Sequence, residues 1–242
     1  MKIILFFILA YSISMSHSRQ IAQQIRVHDL LWDIHEMSVW QVSQFSKATG
    51  FISRAEKEGG GFIYEAGWTQ KKDWSWRKPF GVTAKDDEPA VHLTFEEAQS
   101  ICRFFKKRLP TDAEWVAAAY HEQRQNPPDG FKTGQQYLYP NGESAKQSHC
   151  LQGCSNFNGV APQGSLNRGT GHVSVLLGSA GVNGLYHMGG NVWEWVDTPI
   201  GSERITRGGS WWYDASRQMQ SDVASKPPDT RVAYIGFRCV QP

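Results

Sequence analysis

The chain has 242 residues, a formal net charge of +2 at pH 7, 20% charged residues and 40% hydrophobic residues. That length suits one domain with a substantial core, and the near-balanced charge gives no footing for nucleic acid or for a polybasic membrane patch. Ten Trp and 23 Gly are more distinctive: large flat side chains among many permissive backbone positions predict a loop-rich fold held by aromatic packing rather than a helical bundle.

The N-terminus reads as a targeting segment. Lys2 precedes the apolar run Ile3 to Tyr11, and Ser16-His17-Ser18 resembles a small-x-small cleavage site. The apolar core is short for a bilayer span, so residues 1–18 are expected to be a cleaved signal peptide and 19–242 the exported domain. The competing reading is an uncleaved anchor or a lipid-facing N-terminal helix. No other stretch is apolar enough to span, so the mature chain is expected to be periplasmic or secreted and not an integral membrane protein. The cysteines are Cys102, Cys150, Cys154 and Cys239. An even number in an exported chain favours disulfides, and spacing leaves all pairings open. Cys150 and Cys154 lack the second close pair or His cluster that would complete a zinc site.

Along the chain, Ile25–Asp33 is a strand candidate. Ser38 with Gln41 forms a capping box that starts a helix, and Gly50 stops it. Residues 51–90 are rich in Gly and Trp and carry no regular signal. Thr94 with Glu97 starts a second helix, whose Ala98, Ile101, Cys102 and Phe105 share a face. Thr111 with Glu114 starts a third. Residues 121–184 read as loop, with the turn signal Pro127-Pro128-Asp129-Gly130. Gly190–Val196, Arg204–Trp212 and Ala233–Val240 are further strand candidates. So few regular segments in so long a chain point to an irregular fold stapled by disulfides and bound ions.

Arg108-Leu109-Pro110-Thr111-Asp112-Ala113-Glu114-Trp115 resembles the RLPTEAEW signature of the formylglycine-generating enzyme (sulfatase-modifying factor) family. Gly184 to Trp195 is similar to its GLYDMxGNVWEW motif, Arg207-Gly208-Gly209-Ser210-Trp211 to RGGSW, and Gly236-Phe237-Arg238-Cys239 to GFRC. Upstream, Glu36-Met37-Ser38 sits where the family carries EVT, and Ala48-Thr49-Gly50-Phe51 matches ATGY. The motifs keep the family's order over roughly residues 25–241. The resemblance implies a C-type-lectin-like α+β fold and, in active members, oxidation of a peptide cysteine to formylglycine.

Those enzymes hold Cu(I) with two cysteines that follow the Gly-Gly-Ser turn; the matching positions here are Tyr213 and Gln218. A phenol and an amide cannot replace two soft thiolates, so copper is not expected. The resemblance further implies a Cys102–Cys239 disulfide. A second family disulfide would fall on Ala119 and Val223, and both its cysteines are absent. Cys150 and Cys154 have no placed counterpart, and a local clip between them is the simplest reading. One family calcium site maps onto His187, Gly190, Val192 and Glu194, where histidine is a poor ligand for a cation that wants oxygen. Another maps loosely onto Asn156, Phe157, Asn167 and Gly169. His172, His187 and Glu194 are the residues that an iron facial triad would need, although their spacing does not demand one.

Trp193, Glu194 and Trp195 are expected to determine the fold. Trp193, Ser210, Trp212, Tyr213, Arg217 and Gln218 line the family's substrate groove by position. With both thiolates gone, the favoured expectation is an envelope protein that binds a protein or peptide partner through this surface, as a secretion- or motility-type regulator. The alternative is a divergent oxidoreductase acting on a peptide or a peptide-derived metabolite.

Overall fold

A computed structural model of the chain describes residues 22–155, 157–161 and 166–242. The expected signal peptide lies outside the described residues. In chain order the regular elements are strands β1 (Gln24–Val27) and β2 (Leu30–Asp33), helices α1 (Val39–Thr49) and α2 (Arg54–Lys57), strands β3 (Phe62–Tyr64) and β4 (Trp68–Gln70), helices α3 (Phe95–Phe104) and α4 (Asp112–Tyr120), and strands β5 (Trp193–Ile200), β6 (Glu203–Arg207), β7 (Ala224–Lys226), β8 (Ile235–Gly236) and β9 (Val240–Gln241). They form a sheet ordered β1-β2-β9, a β3-β4 hairpin and a sheet ordered β7-β6-β5-β8 in which β5 and β8 run parallel. The result is an α+β fold with long irregular connections.

The helix starts follow from local chemistry. Ser38, Thr94 and Thr111 each accept from the N3 backbone amide, and Gln41, Glu97 and Glu114 reach back to the cap. Each box satisfies amides that have no intrahelical partner. Gly50 ends α1 at φ 71, a left-handed conformation that glycine adopts without a Cβ clash. A fourth box, Ser53 with Glu56, starts the short α2.

The strands depart further from expectation. Ile25–Asp33 divides into β1 and β2 at a turn where His28 takes φ 51. The strand expected over Gly190–Val196 begins at Trp193 and runs to Ile200, and that over Arg204–Trp212 ends at Arg207. Gly208 and Gly209 break it, at φ 97 and 73; a Cβ on Gly208 would lie 2.5 Å from the Met188 carbonyl oxygen. Ala233–Val240 reduces to the two-residue strands β8 and β9. Residues 51–90, read as irregular, contain α2 and the β3-β4 hairpin.

The larger core cluster gathers Trp74, Trp76, Trp195, Trp211, Trp212 and Phe237, and a second packs Trp32, Trp115, Tyr120 and Val196 beneath α4. Between them sits a buried ion pair. Arg238 is 0% exposed and bonds to Glu194 from Nε at 2.9 Å and from Nη2 at 2.6 Å. Its remaining N–H groups donate to the carbonyls of Asp33, Ile34 and Tyr186. Trp115 Nε1 donates to Glu194 Oε2 at 2.8 Å. Every donor of the guanidinium is used, which is the condition for a buried charge to be tolerated.

Two disulfides close the molecule: Cys102–Cys239, with a sequence separation of 137, joins α3 to the C-terminal segment, and Cys150–Cys154 closes a loop with a separation of 4. In the loop-entropy model the long bridge contributes on the order of 4–5 kcal/mol and the short one about 2 kcal/mol. Both fit an oxidising compartment. Among the described residues no helix is long and apolar enough to cross a membrane.

Removing one partner of the buried pair strands the other charge. Glu194→Ala is expected to lower the unfolding free energy by about 3–5 kcal/mol. Urea denaturation of the oxidised protein measures this; a loss below about 1 kcal/mol, as for a surface pair, would contradict it.

Candidate functional site

The Gly208-Gly209 turn delivers Ser210, Trp211, Trp212 and Tyr213 in succession beneath the end of β6. Ser210 is fully buried, and its Oγ accepts from the Trp212 amide at 3.3 Å. Trp212 lies stacked on Tyr234 with ring centroids 5.8 Å apart and is 4% exposed. Tyr213 is half-buried and packs edge-on against Trp193 at 5.7 Å and Tyr234 at 5.8 Å. Arg217, on the following short 3-10 turn Ala215–Gln218, lies 5.6 Å from the Trp193 ring and 5.7 Å from the Tyr213 ring. It also pairs with Asp222 at 3.0 Å, although the two groups are not aligned as a hydrogen bond.

Gln218 points the other way. It is fully buried; its Oε1 lies 2.8 Å from Ser148 Oγ and its Nε2 lies 3.1 Å from Cys154 Sγ. Its carbonyl accepts from the Tyr120 hydroxyl at 2.8 Å. The backbone of the Cys150–Cys154 loop is tied to the same segment: Leu151 N donates to Tyr213 O, and Ala215 N to Gln152 O, both at 2.9 Å.

The structure therefore divides the residues expected to line the groove. Tyr213 and Arg217 are accessible, whereas Trp193, Ser210, Trp212 and Gln218 are buried. Trp212 packs within the core, where the chain leaving Gly208-Gly209 lays it on Tyr234. Gln218 uses its amide inside the protein.

The residues present fit calcium poorly. Both oxygens of Glu194 are taken by Arg238 and Trp115, so a guanidinium already supplies the cation there. His187 offers nitrogen where calcium wants oxygen, with Gly190 and Val192 left to offer carbonyls. In the second set, Asn156 lies outside the described residues; Phe157 and Gly169 line one cavity, and that set of Asn156, Phe157, Asn167 and Gly169 contains no carboxylate. The triad of His172, His187 and Glu194 is not assembled either. His172 pairs with Glu88 at 3.1 Å, Glu194 pairs with Arg238, and the described residues hold no group of three or more metal-competent His, Cys, Asp or Glu side chains.

The sequence reading missed two features. Glu36 is fully buried and accepts from Asn191 Nδ2 at 2.8 Å. Burial, reinforced by the nearby Glu194 carboxylate, raises its pKa well above the usual carboxylate range. Its position in the Glu36-Met37-Ser38 motif was the available signal. The second feature is the set of buried histidines: His35, His92, His149, His172 and His187. Desolvation lowers His35 and His92 to about 4 and His187 to about 3, and it lowers His149 as well.

The chain matches the family described as "Sulfatase-modifying factor enzyme 1-like domain" over residues 8–242. It belongs to that family. It is 27% identical to the formylglycine-generating enzyme of Thermomonospora curvata, over 89% of this chain and 82% of that protein. It is 25% identical to the inactive C-alpha-formylglycine-generating enzyme 2 of Mus musculus, over 90% of this chain and 77% of that one. Among solved structures, PvdO from Pseudomonas aeruginosa superposes with a TM-score of 0.57 at 16% identity, covering 87% of this chain and 79% of its own, which shows a shared fold.

The buried histidines set an acid limit. In the unfolded chain they titrate near 6.5; folded, His35, His92 and His187 stay neutral down to about 4, 4 and 3. Between those values the unfolded state binds the extra protons. Their contribution is therefore complete above pH 6.5 and is lost as pH falls, at up to about 1.4 kcal/mol per pH unit for each histidine. Glu36 and Asp33, whose pKa values are raised, act in the opposite sense: their contribution is present at low pH and is lost as pH rises through the folded pKa. The histidines outnumber them. Tm is expected to fall between pH 7 and pH 5, and His187→Asn, which keeps a residue tolerant of φ 54, should flatten the slope. Thermal melts across that range decide; a Tm that rises on acidification would contradict the assignment.

Proposed function

We propose that this chain is an exported, non-copper member of its family that binds a protein or peptide partner in the cell envelope, through the face carrying Tyr213 and Arg217. One observation carries the reading: the two positions that hold copper in active relatives are a phenol and a buried amide, while an aromatic-guanidinium pair remains accessible beside them. Tyr and Arg supply rigid area and multiple donors, and such residues dominate binding energies at protein interfaces. The disulfides and the apolar N-terminal run support export. The inactive relative supports loss of chemistry on this fold.

Tyr213→Ala and Arg217→Ala are each expected to weaken partner capture by about 2 kcal/mol, roughly thirtyfold, with Tm unchanged within a few degrees. Pull-down from envelope extract followed by titration of the captured protein measures this. Undiminished binding by both variants would place the working surface elsewhere.

The same reading predicts no formylglycine from a Cys-x-Pro-x-Arg peptide, with or without copper. Mass spectrometry of the incubated peptide is the check, and turnover above a no-protein control would overturn it.

A further inference from the structure

The short disulfide has an asymmetric environment that its structural role does not require. Cys154 Sγ receives the Gln218 Nε2–H at 3.1 Å. Ser148 Oγ also lies 3.1 Å from this sulfur, but its single hydrogen is shared with the Ala145 carbonyl and Gln218 Oε1. Gln218 is thus the dedicated donor. Cys150 Sγ instead faces an acceptor, the Gln152 carbonyl oxygen at 3.1 Å. A donor beside one sulfur and a carbonyl beside the other stabilise negative charge on Cys154 and disfavour it on Cys150.

Exposure does not add to this asymmetry, since Cys150 is 6% exposed and Cys154 is half-buried; the direction rests on the donor, and Cys150 is reached through a cavity. A cavity of ≈ 370 Å³ is lined by Cys150, His149, Leu151, Phe157, Gly169 and Trp211 among others. His149 is 3% exposed; its Nε2 is bonded to the Gly171 carbonyl at 2.7 Å, and its Nδ1 has no partner. The long disulfide offers no such opening: Cys102 and Cys239 are both 0% exposed.

We propose that Cys150–Cys154 is a thiol-exchange site. A thiolate entering the cavity forms a new S–S bond to Cys150 Sγ while the Cys150–Cys154 bond breaks. The bonding electron pair leaves with Cys154 as a thiolate, held by Gln218 Nε2–H. The incoming thiol's proton goes to solvent, and the product is a mixed disulfide on Cys150. No net oxidation occurs in this step. A second thiol attacking the mixed disulfide would release an external disulfide and leave both cysteines reduced. The direction follows from leaving-group chemistry: the sulfur better stabilised as thiolate departs faster, and an N–H donor binds a thiolate more strongly than it binds a disulfide sulfur. The ligand class is a thiol, either a small soluble thiol or a cysteine-bearing peptide. Exchange does not depend on partner binding at Tyr213 and Arg217.

The test uses the mature oxidised protein with two probes, glutathione and a cysteine-containing hexapeptide, quenched with N-ethylmaleimide and mapped by mass spectrometry. The expected result is a probe adduct on Cys150, N-ethylmaleimide on Cys154 and an intact Cys102–Cys239 bond, with exchange at least about tenfold faster than at the buried bridge. Faster labelling by one probe identifies the thiol source. Adducts on Cys154, or no exchange under conditions that reduce a solvent-exposed model disulfide, would overturn the proposal while leaving Tyr213- and Arg217-dependent binding to be judged separately. A second measurement does not depend on altering Gln218: in Cys150→Ser the pH profile of Cys154 alkylation should give a thiol pKa below the ordinary value of about 8.5. A value at or above it would also overturn the assignment.

Discussion

The Arg238–Glu194 pair is the constraint on which the rest of the structure leans. A guanidinium with no solvent contact must have every donor engaged, and here its partners come from the end of β2, from Tyr186 and from β5. Satisfying one side chain therefore fixes three distant segments. Trp115 extends the arrangement into α4 through its indole N–H. Such a pair adds little net stability compared with an apolar replacement of the same shape, but it penalises any packing that leaves one charge alone. In a fold with short strands and long irregular connections, that penalty selects one arrangement among many compact ones.

The same logic accounts for Tyr213 and Gln218, the two positions to which the resemblance assigns the copper ligands. Gln218 is not a degraded ligand left pointing at an empty site; its amide is spent on Ser148 and Cys154, and its backbone on Tyr120. The Cys150–Cys154 loop sits against that amide and against the backbone of residues 213–215. Restoring a thiolate at position 218 alone would therefore leave a buried serine and a disulfide without their partner, and position 213 would still hold a phenol. The two positions have been absorbed in different ways, one into the interior and one into the surface.

How much of this was legible in the sequence depends on the range of the interaction. The three long helices were readable because a capping box is complete within four residues, and the Ser53–Glu56 box was equally readable though unused. The family motifs located Glu194 and Arg238 as elements of the fold but did not reveal that each is the other's counter-ion, since that contact spans 44 residues. The two-residue strands β8 and β9 have no intrinsic pattern and exist because β5 and β2 offer edges. Which of Trp211, Trp212 and Tyr213 would face solvent turned on the backbone rotation at Gly208-Gly209. The contact of Gln218 with Cys154 joins positions 64 apart and left no local trace.

The adjacency of β2 and β9 bears on when the fold can close. Arg238, Cys239 and Val240 meet the Asp33 carbonyl, Cys102 and the Arg108 backbone. A polypeptide emerging from the ribosome N-terminus first has Glu194 available long before its counter-ion exists. Until residues 238–241 are delivered, the first sheet lacks a strand, the long disulfide lacks a cysteine, and a carboxylate has no reason to leave water. Closure of long loops is also slow and entropically costly. Completion of the native state is thus deferred until residues 238–240 have met partners laid down more than a hundred residues earlier, which makes formation of this fold a late, concerted event and not a stepwise one.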